Sequence, residues 1–201
     1  MDHSRSSFCV NCSSVSVILT TSRRDDVIYV VTYDSQTGPE SMSVASQPSL
    51  VWKPRIALST PNDMATWYAV WPASGNLNIT YKTGGVNTND VIMAFGISGA
   101  NTTSPFDTGP TVVAICSSLC TTNQTVTLST ARSNDFVIGA INAAGGGVMT
   151  NGPCCTTVTG LSAGGIEFVL TSRPQTNLSL AYTSQQDPTR WIFIADAVVV
   201  S

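Results

Sequence analysis

An all-β antiparallel sandwich of jelly-roll or Greek-key type is the fold class this sequence predicts, and three observations predict it. Apolar and polar residues alternate over short runs, no segment carries a sustained 3.6-residue apolar period, and Gly, Pro, Asn and Thr punctuate the chain about every ten residues. One phrase occurs three times: an alternating run, a polar turn, an acid and a second apolar run. Val15, Val17 and Leu19 precede Asp26-Val27-Ile28; Leu77, Ile79 and Tyr81 precede Asp90-Val91-Ile92; Val126 and Leu128 precede Asp135-Phe136-Val137-Ile138. Read locally, each phrase is a hairpin, and the chain is a succession of hairpins that pair and stack.

The elements follow in order. Residues 1–13 are polar, with Phe8 and Val10 two apart, and form an N-terminal arm ahead of a domain spanning 14–201. Residues 15–20 and 26–33 are the first two strands. Gln36 to Ser49, with Gly38-Pro39 and Pro48, is a loop-rich crossing with a short strand at Met42 to Val44. Leu50 to Leu58 contains Pro54, which cannot donate to a ladder and makes this an edge or bulged strand. Thr66 to Val70, Leu77 to Tyr81 and the strongly apolar Val91 to Ile97 follow, then a turn-rich loop from Asn101 to Pro110. Val112 to Ile115, Val126 to Ser129 and Phe136 to Ala140 lead to the Gly145-Gly146-Gly147 bend. Ile166 to Leu170, Leu178 to Tyr182 and Trp191 to Val200 close the domain.

Charged residues make up 10% of the 201, well under the usual share of roughly 25%, and Ser and Thr fill about a quarter. Thr suits strand surfaces. A net charge of −3 with only two lysines, Lys53 and Lys82, gives no basis for nucleic-acid binding, which needs clustered Lys and Arg. The six cysteines fall as Cys9/Cys12, Cys116/Cys120 and the adjacent Cys154/Cys155. An even count in loop-like surroundings favours disulfides and an oxidising compartment; a four-thiolate zinc site is the competing reading. Adjacent Cα atoms are about 3.8 Å apart, shorter than the usual disulfide span. Cys154 and Cys155 are therefore expected to reach different partners, Cys116 and Cys120, leaving Cys9 with Cys12. The Asn-x-Ser/Thr sequons at Asn11, Asn78, Asn101, Asn123 and Asn177 are glycosylation candidates, with Asn78 opposite the Leu77/Ile79 face. Met1 to Ser7 has no signal-peptide core, which points to removal of a signal or to release by lysis. No stretch reaches the roughly 20 apolar residues of a membrane helix.

The chain offers little to catalysis. His3, the single histidine, sits near an end, so a histidine-dependent triad is not expected. Asp26, Asp90 and Asp135 stand at strand entries, where Asp sets a turn through its own backbone. One carboxylate in the Asn101 to Asp107 loop is too few for calcium, and the triple glycine lacks the strand-to-helix context and lysine of a phosphate loop. Trp52, Trp67, Tyr68 and Trp71 suit core packing better than a sugar-stacking platform, because Trp67 and Tyr68 point to opposite faces. No enzyme, cofactor or metal is expected.

Three stretches carry a family likeness: Ala65-Thr66-Trp67-Tyr68-Ala69-Val70 with Leu77-Asn78-Ile79-Thr80; Ser98-Gly99-Ala100-Asn101-Thr102-Thr103-Ser104-Pro105-Phe106-Asp107; and Trp191-Ile192-Phe193-Ile194-Ala195-Asp196-Ala197. With Leu50-Val51-Trp52 upstream, they resemble β-sandwich modules of secreted archaeal and bacterial surface proteins. The Thr-rich, cysteine-bearing single module looks like subunits of archaeal thread-type extracellular filaments. That resemblance implies a structural role, copies of the same chain as partners and an extracellular or cell-surface location. The expected function is a filament subunit that polymerises head-to-tail by donating the strand with Phe8, Val10 and Cys12 to its neighbour. The alternatives are a carbohydrate-binding adhesion module using Trp52, Trp71 and the Asn101 to Pro110 loop, or a virion fibre or decoration protein. Surface glycans are a further partner class.

Overall fold

The computed structural model describes residues 1–34, 41–109, 111–161 and 163–201; Gly38-Pro39 and Pro110 of the expected loops lie outside the described residues. The described residues contain no helix, and hence none long and apolar enough to cross a membrane. The chain divides into two compact units, Met1–Thr102 and Thr103–Ser201. The expectation of one sandwich behind a 13-residue arm thus meets a different arrangement, a boundary near residue 102 with residues 2–9 built into a sheet.

The first unit contains β1 (Asp2–Cys9), β2 (Cys12–Thr21), β3 (Asp26–Asp34), β4 (Ser43–Gln47), β5 (Lys53–Leu58), β6 (Met64–Trp71), β7 (Gly75–Asn87) and β8 (Asp90–Ile97). They form a five-stranded sheet of order β1-β8-β3-β6-β5 and a three-stranded sheet of order β2-β7-β4. The second contains β9 (Val112–Cys116), β10 (Asn123–Leu128), β11 (Asp135–Ala144), β12 (Met149–Asn151), β13 (Thr156–Leu161), β14 (Gly164–Leu170), β15 (Leu178–Ser184) and β16 (Arg190–Val199). Its sheets run β9-β16-β11-β14-β13 and β10-β15-β12. Adding eight to each strand number of the first unit reproduces the second. Each unit is an eight-stranded jelly roll, in which the first strands pair with the last and the roll winds inward.

This topology corrects the hairpin reading. β2 pairs with β7 while β3 pairs with β8 and β6, so the short turn at residues 22–25 carries the chain from one sheet to the other. β7 and β8, and β10 and β11, do the same. The alternation is real, because Val15, Val17, Leu19, Leu77, Ile79 and Tyr81 all face one core with Ile28, Val30, Ile92 and Ala94. Val126, Leu128, Leu180 and Tyr182 face the second core with Val137, Ile141, Phe193 and Ala195. Period-two alternation reports which face a residue occupies and is silent about which strand lies beside it. β5 is the expected edge strand, with a register shift between Pro54 and Ile56.

The segment expected as a free donor is engaged within its own chain. β1 pairs with β8 from Asp2 to Cys9, and Phe8 stands opposite Val91. Cys9 is bonded to Cys12 at the corner where the chain turns into β2.

Candidate functional site

The two units repeat each other in side chains as well as in strands, and this repetition separates what maintains the fold from what is particular to one unit. Cys9–Cys12 closes the β1–β2 corner and Cys116–Cys120 closes the β9–β10 corner. The residue before the second cysteine is left-handed in both, Asn11 at φ 55° and Leu119 at φ 52°. The turns into β3 and β11 likewise carry Asp25 at φ 59° and Asn134 at φ 63°.

A buried carboxyl pair sits at each of those turns. Asp2 accepts from the Ser22 amide (2.6 Å), the Ser22 hydroxyl (2.8 Å) and the Arg23 amide (3.1 Å). Burial alone would raise its pKa, but these donors and His3 together hold it well below the ordinary range. In the second unit Asp107 accepts from the amides of Ala131 (2.5 Å) and Thr108 (2.7 Å). Asp26 and Asp135, both fully buried, face these capping carboxylates. Burial first, and the neighbouring Asp2 or Asp107 next among the raising causes, push each up to about 6. The turn is therefore set by a carboxylate from a segment earlier in the chain, Asp2 of β1 or Asp107 ahead of β9, and not by Asp26 or Asp135 themselves. Asp90 comes closer to the expected role, accepting from the Asn87 side-chain amide at 2.9 Å.

Other residues singled out by the sequence fall into structural positions. Trp52, Trp67 and Trp71 pack on the first core, and their ring N–H groups donate to Ser46 (3.1 Å), Thr32 (3.2 Å) and Thr21 (3.0 Å) hydroxyls. They do not assemble into a sugar platform. Tyr68 lies under Lys53 Nζ, 5.8 Å from the ring centre. His3 Nδ1 meets Asp2 Oδ1 at 2.7 Å within β1. Asn11, Asn78, Asn101, Asn123 and Asn177 are all exposed. The third cysteine pair corrects the expected connectivity: Cys154 bonds Cys155, across a Cα separation of 3.7 Å, and neither reaches Cys116 or Cys120.

That pair has no counterpart in the first unit, and it marks where the second unit departs from the repeat. In the first unit Val30 of β3 stands opposite Trp67 of β6. At the same register in the second, Gly139 of β11 stands opposite Glu167 of β14. A Cβ on Gly139 would lie 3.0 Å from Glu167 Cγ and 3.0 Å from the Phe193 ring, so the glycine is the space the Glu167 side chain occupies. Glu167 is fully buried and neither oxygen has a hydrogen-bond partner. The Gly152 amide nearby is donated to the Ala181 carbonyl at 2.6 Å. Burial pushes Glu167 up to about 7, against the backbone of Ala181 and Gly152, which favours its charged form. The Glu167 carboxylate and the sulfurs of Cys154 and Cys155 lie within 4.8 Å of one another.

The surrounding loop is firmly held. Asn151 donates through its side-chain amide to the Cys155 carbonyl and accepts from the Thr157 hydroxyl at 2.7 Å. Tyr182 is matched in register by Tyr81, whose hydroxyl donates to Asp34 at 3.2 Å. Ala143 takes the place of Asp34, and the Tyr182 hydroxyl has no hydrogen-bond partner while Glu167 acts on it electrostatically. Tyr182 also lines a pocket of about 430 Å³ with Met149, Thr157, Leu161 and Gly165. Sequence reading misses Glu167. Its signal is a lone acid in the run Gly164-Gly165-Ile166-Glu167-Phe168-Val169-Leu170, on the same strand face as Val169, which packs against the second core.

No protein-family model matches the sequence, and no curated protein matches it. Among solved structures, the chain is similar to the major capsid protein P2 from bacteriophage PM2, at 10% identity and TM-score 0.32, covering 98% of both chains. It is also similar to the STIV MCP, at 8% identity and TM-score 0.29, covering 100% of this chain and 97% of the other. Likeness at this level is weak and carries no argument of its own; the fold class rests on the strand order described above.

Proposed function

We propose that this chain is a structural subunit that assembles with copies of itself into an extracellular filament, coat or shell. The carrying observation is that the described strands go into two jelly rolls of one strand order, each ending in an outermost strand with an exposed apolar side chain at the same register. Phe8 on β1 stands opposite Val91, and Ile115 on β9 stands opposite Ile192, one residue before the first cysteine of each corner. Phe8 is 59% exposed and Ile115 48%. Outermost strands offer backbone groups to another chain, and natural proteins usually guard them with charge or Pro. Apolar residues at both equivalent edges suit contact with a second copy, and repeated non-closing contacts of that kind extend without limit.

This reading keeps the filament role and replaces the donated N-terminal strand with contact along formed edges. Three disulfides and five exposed sequons support a location outside the cell and a glycosylated surface. Electron microscopy of the native protein, beside its mass in solution, tests it. Uniform filaments, sheets or shells are expected; a monomer at all concentrations overturns it.

A further inference from the structure

We propose that Cys154, Cys155 and Glu167 form a thiol-gated site for a borderline divalent cation of the zinc class, closed while the two cysteines are disulfide-bonded and opened by a dithiol or phosphine reductant. Three independent observations converge. The two corner disulfides recur at equivalent positions, so they belong to the fold, whereas the Cys154–Cys155 pair occurs in one unit only. Glu167 takes the place of an aromatic residue packed on the first core and is fully buried. Neither oxygen has a well-formed hydrogen bond, and only the backbone of Ala181 and Gly152 lies close enough to favour its charged form. Gly139 vacates the volume that admits it. A buried carboxylate with so little compensation is costly, and a cation is one of the few groups that offsets that cost.

The donor set decides the class of ion. The Glu167 carboxylate lies within 4.8 Å of both sulfurs while these are bonded to each other. Once reduction frees them to separate, two thiolates and one carboxylate oxygen make a donor set for a tetrahedral ion with metal–sulfur bonds of about 2.3 Å. Calcium and magnesium want oxygen ligands alone. Cys154 is exposed and Cys155 half-buried, so an ion reaches the sulfurs from solvent while Glu167 lies inward. The fourth position is left to water. The step balances: a dithiol gives two electrons and its two protons to the S–S bond and closes to a cyclic disulfide. A phosphine gives the two electrons and takes an oxygen from water, which supplies the two protons, to become a phosphine oxide. The two thiols then release two protons as the ion binds.

The test uses the whole 201-residue chain with all six cysteines present. After phosphine reduction, alkylation by iodoacetamide is followed at each cysteine by peptide mass spectrometry, with and without one equivalent of Zn²⁺. Zinc is expected to slow alkylation of Cys154 and Cys155 at least ~10-fold and to leave Cys9, Cys12, Cys116 and Cys120 unchanged. Glu167→Gln keeps the shape, and in it the protection of Cys154 and Cys155 is expected to fall ~10-fold or more, the scale of losing a supporting group at a metal site. Absence of protection in the reduced wild type overturns the proposal. So does equal protection of the corner cysteines, or full protection in Glu167→Gln.

Discussion

At the scale of single residues, the two buried aspartates make stability depend on pH in an uncommon direction. Asp26 and Asp135 are raised from 3.8 to about 6 by burial and by a facing carboxylate. A carboxyl whose folded pKa is raised stabilises the fold below its unfolded pKa, and that stabilisation is lost as pH rises through the folded value. Both therefore weaken the fold between about pH 4 and 6. Asp2, held low, works the other way, and its contribution disappears as pH falls below the ordinary carboxyl range. Asp26→Asn and Asp135→Asn are each expected to raise stability at pH 7 by on the order of 1–2 kcal/mol, with the gain vanishing below about pH 4. Urea unfolding from pH 4 to 8 reads this, and a gain independent of pH would refute the assignment. Gly139→Ala is expected to cost about 1–3 kcal/mol, since its Cβ would press on Glu167 and the Phe193 ring. Trimming Glu167 to Ala in the same chain should recover part of that loss, because residues in contact couple; additive losses would show that the two side chains do not share the space.

Strand elements are legible where the signal is local and are lost where it is not. Alternation locates the starts of β2, β7, β10 and β15, and apolar runs those of β3, β8, β11 and β16, to within a few residues, while β7 runs on past Tyr81 to Asn87 and Pro54 marks β5 as an edge. β1 reads as an arm because its residues Asp2, His3, Ser4, Arg5, Ser6 and Ser7 carry no apolar alternation. An outermost strand needs only one partner ladder, and here part of its hold comes from Asp2 capping the amides of Ser22 and Arg23. β12 and β13 escape notice beside the triple glycine, being short or Thr-rich. The cysteine pairing fails for another reason: a preference about Cα spans is a tendency, and the Gly152–Cys155 turn brings neighbouring sulfurs together. Two predictions belong at this scale. Deleting residues 1–9 is expected to lower stability by more than about 2 kcal/mol, because a charge-assisted cap and a whole ladder go with them; an unchanged unfolding midpoint would restore the arm. Proteolysis without reduction should release Cys154 and Cys155 on one peptide with no link to Cys116 or Cys120, and a cross-linked peptide would refute that pairing.

For the whole molecule, the duplication is half visible. The first and third of the recurring phrases turn out to be β2–β3 and β10–β11, the same element of successive units, while the second is β7–β8. They look alike because each carries the chain from one sheet to the other through a short polar turn. No local pattern distinguishes such a crossing from a hairpin, so the sequence suggests one sandwich where two jelly rolls stand. The duplication bears directly on assembly. A chain with one apolar edge position forms pairs most readily, whereas one with two equivalent positions can meet a copy at each and continue. Replacing Phe8 or Ile115 singly by Lys is therefore expected to shorten assemblies, by capping growth at one edge. The double variant Phe8→Lys/Ile115→Lys should leave a monomer that unfolds at the wild-type midpoint, since both side chains are exposed. Sedimentation velocity with matched denaturation curves separates the outcomes. If the double variant assembles as the wild type does, the edges are not the contact, and the surface joining the copies must be sought on the sheet faces.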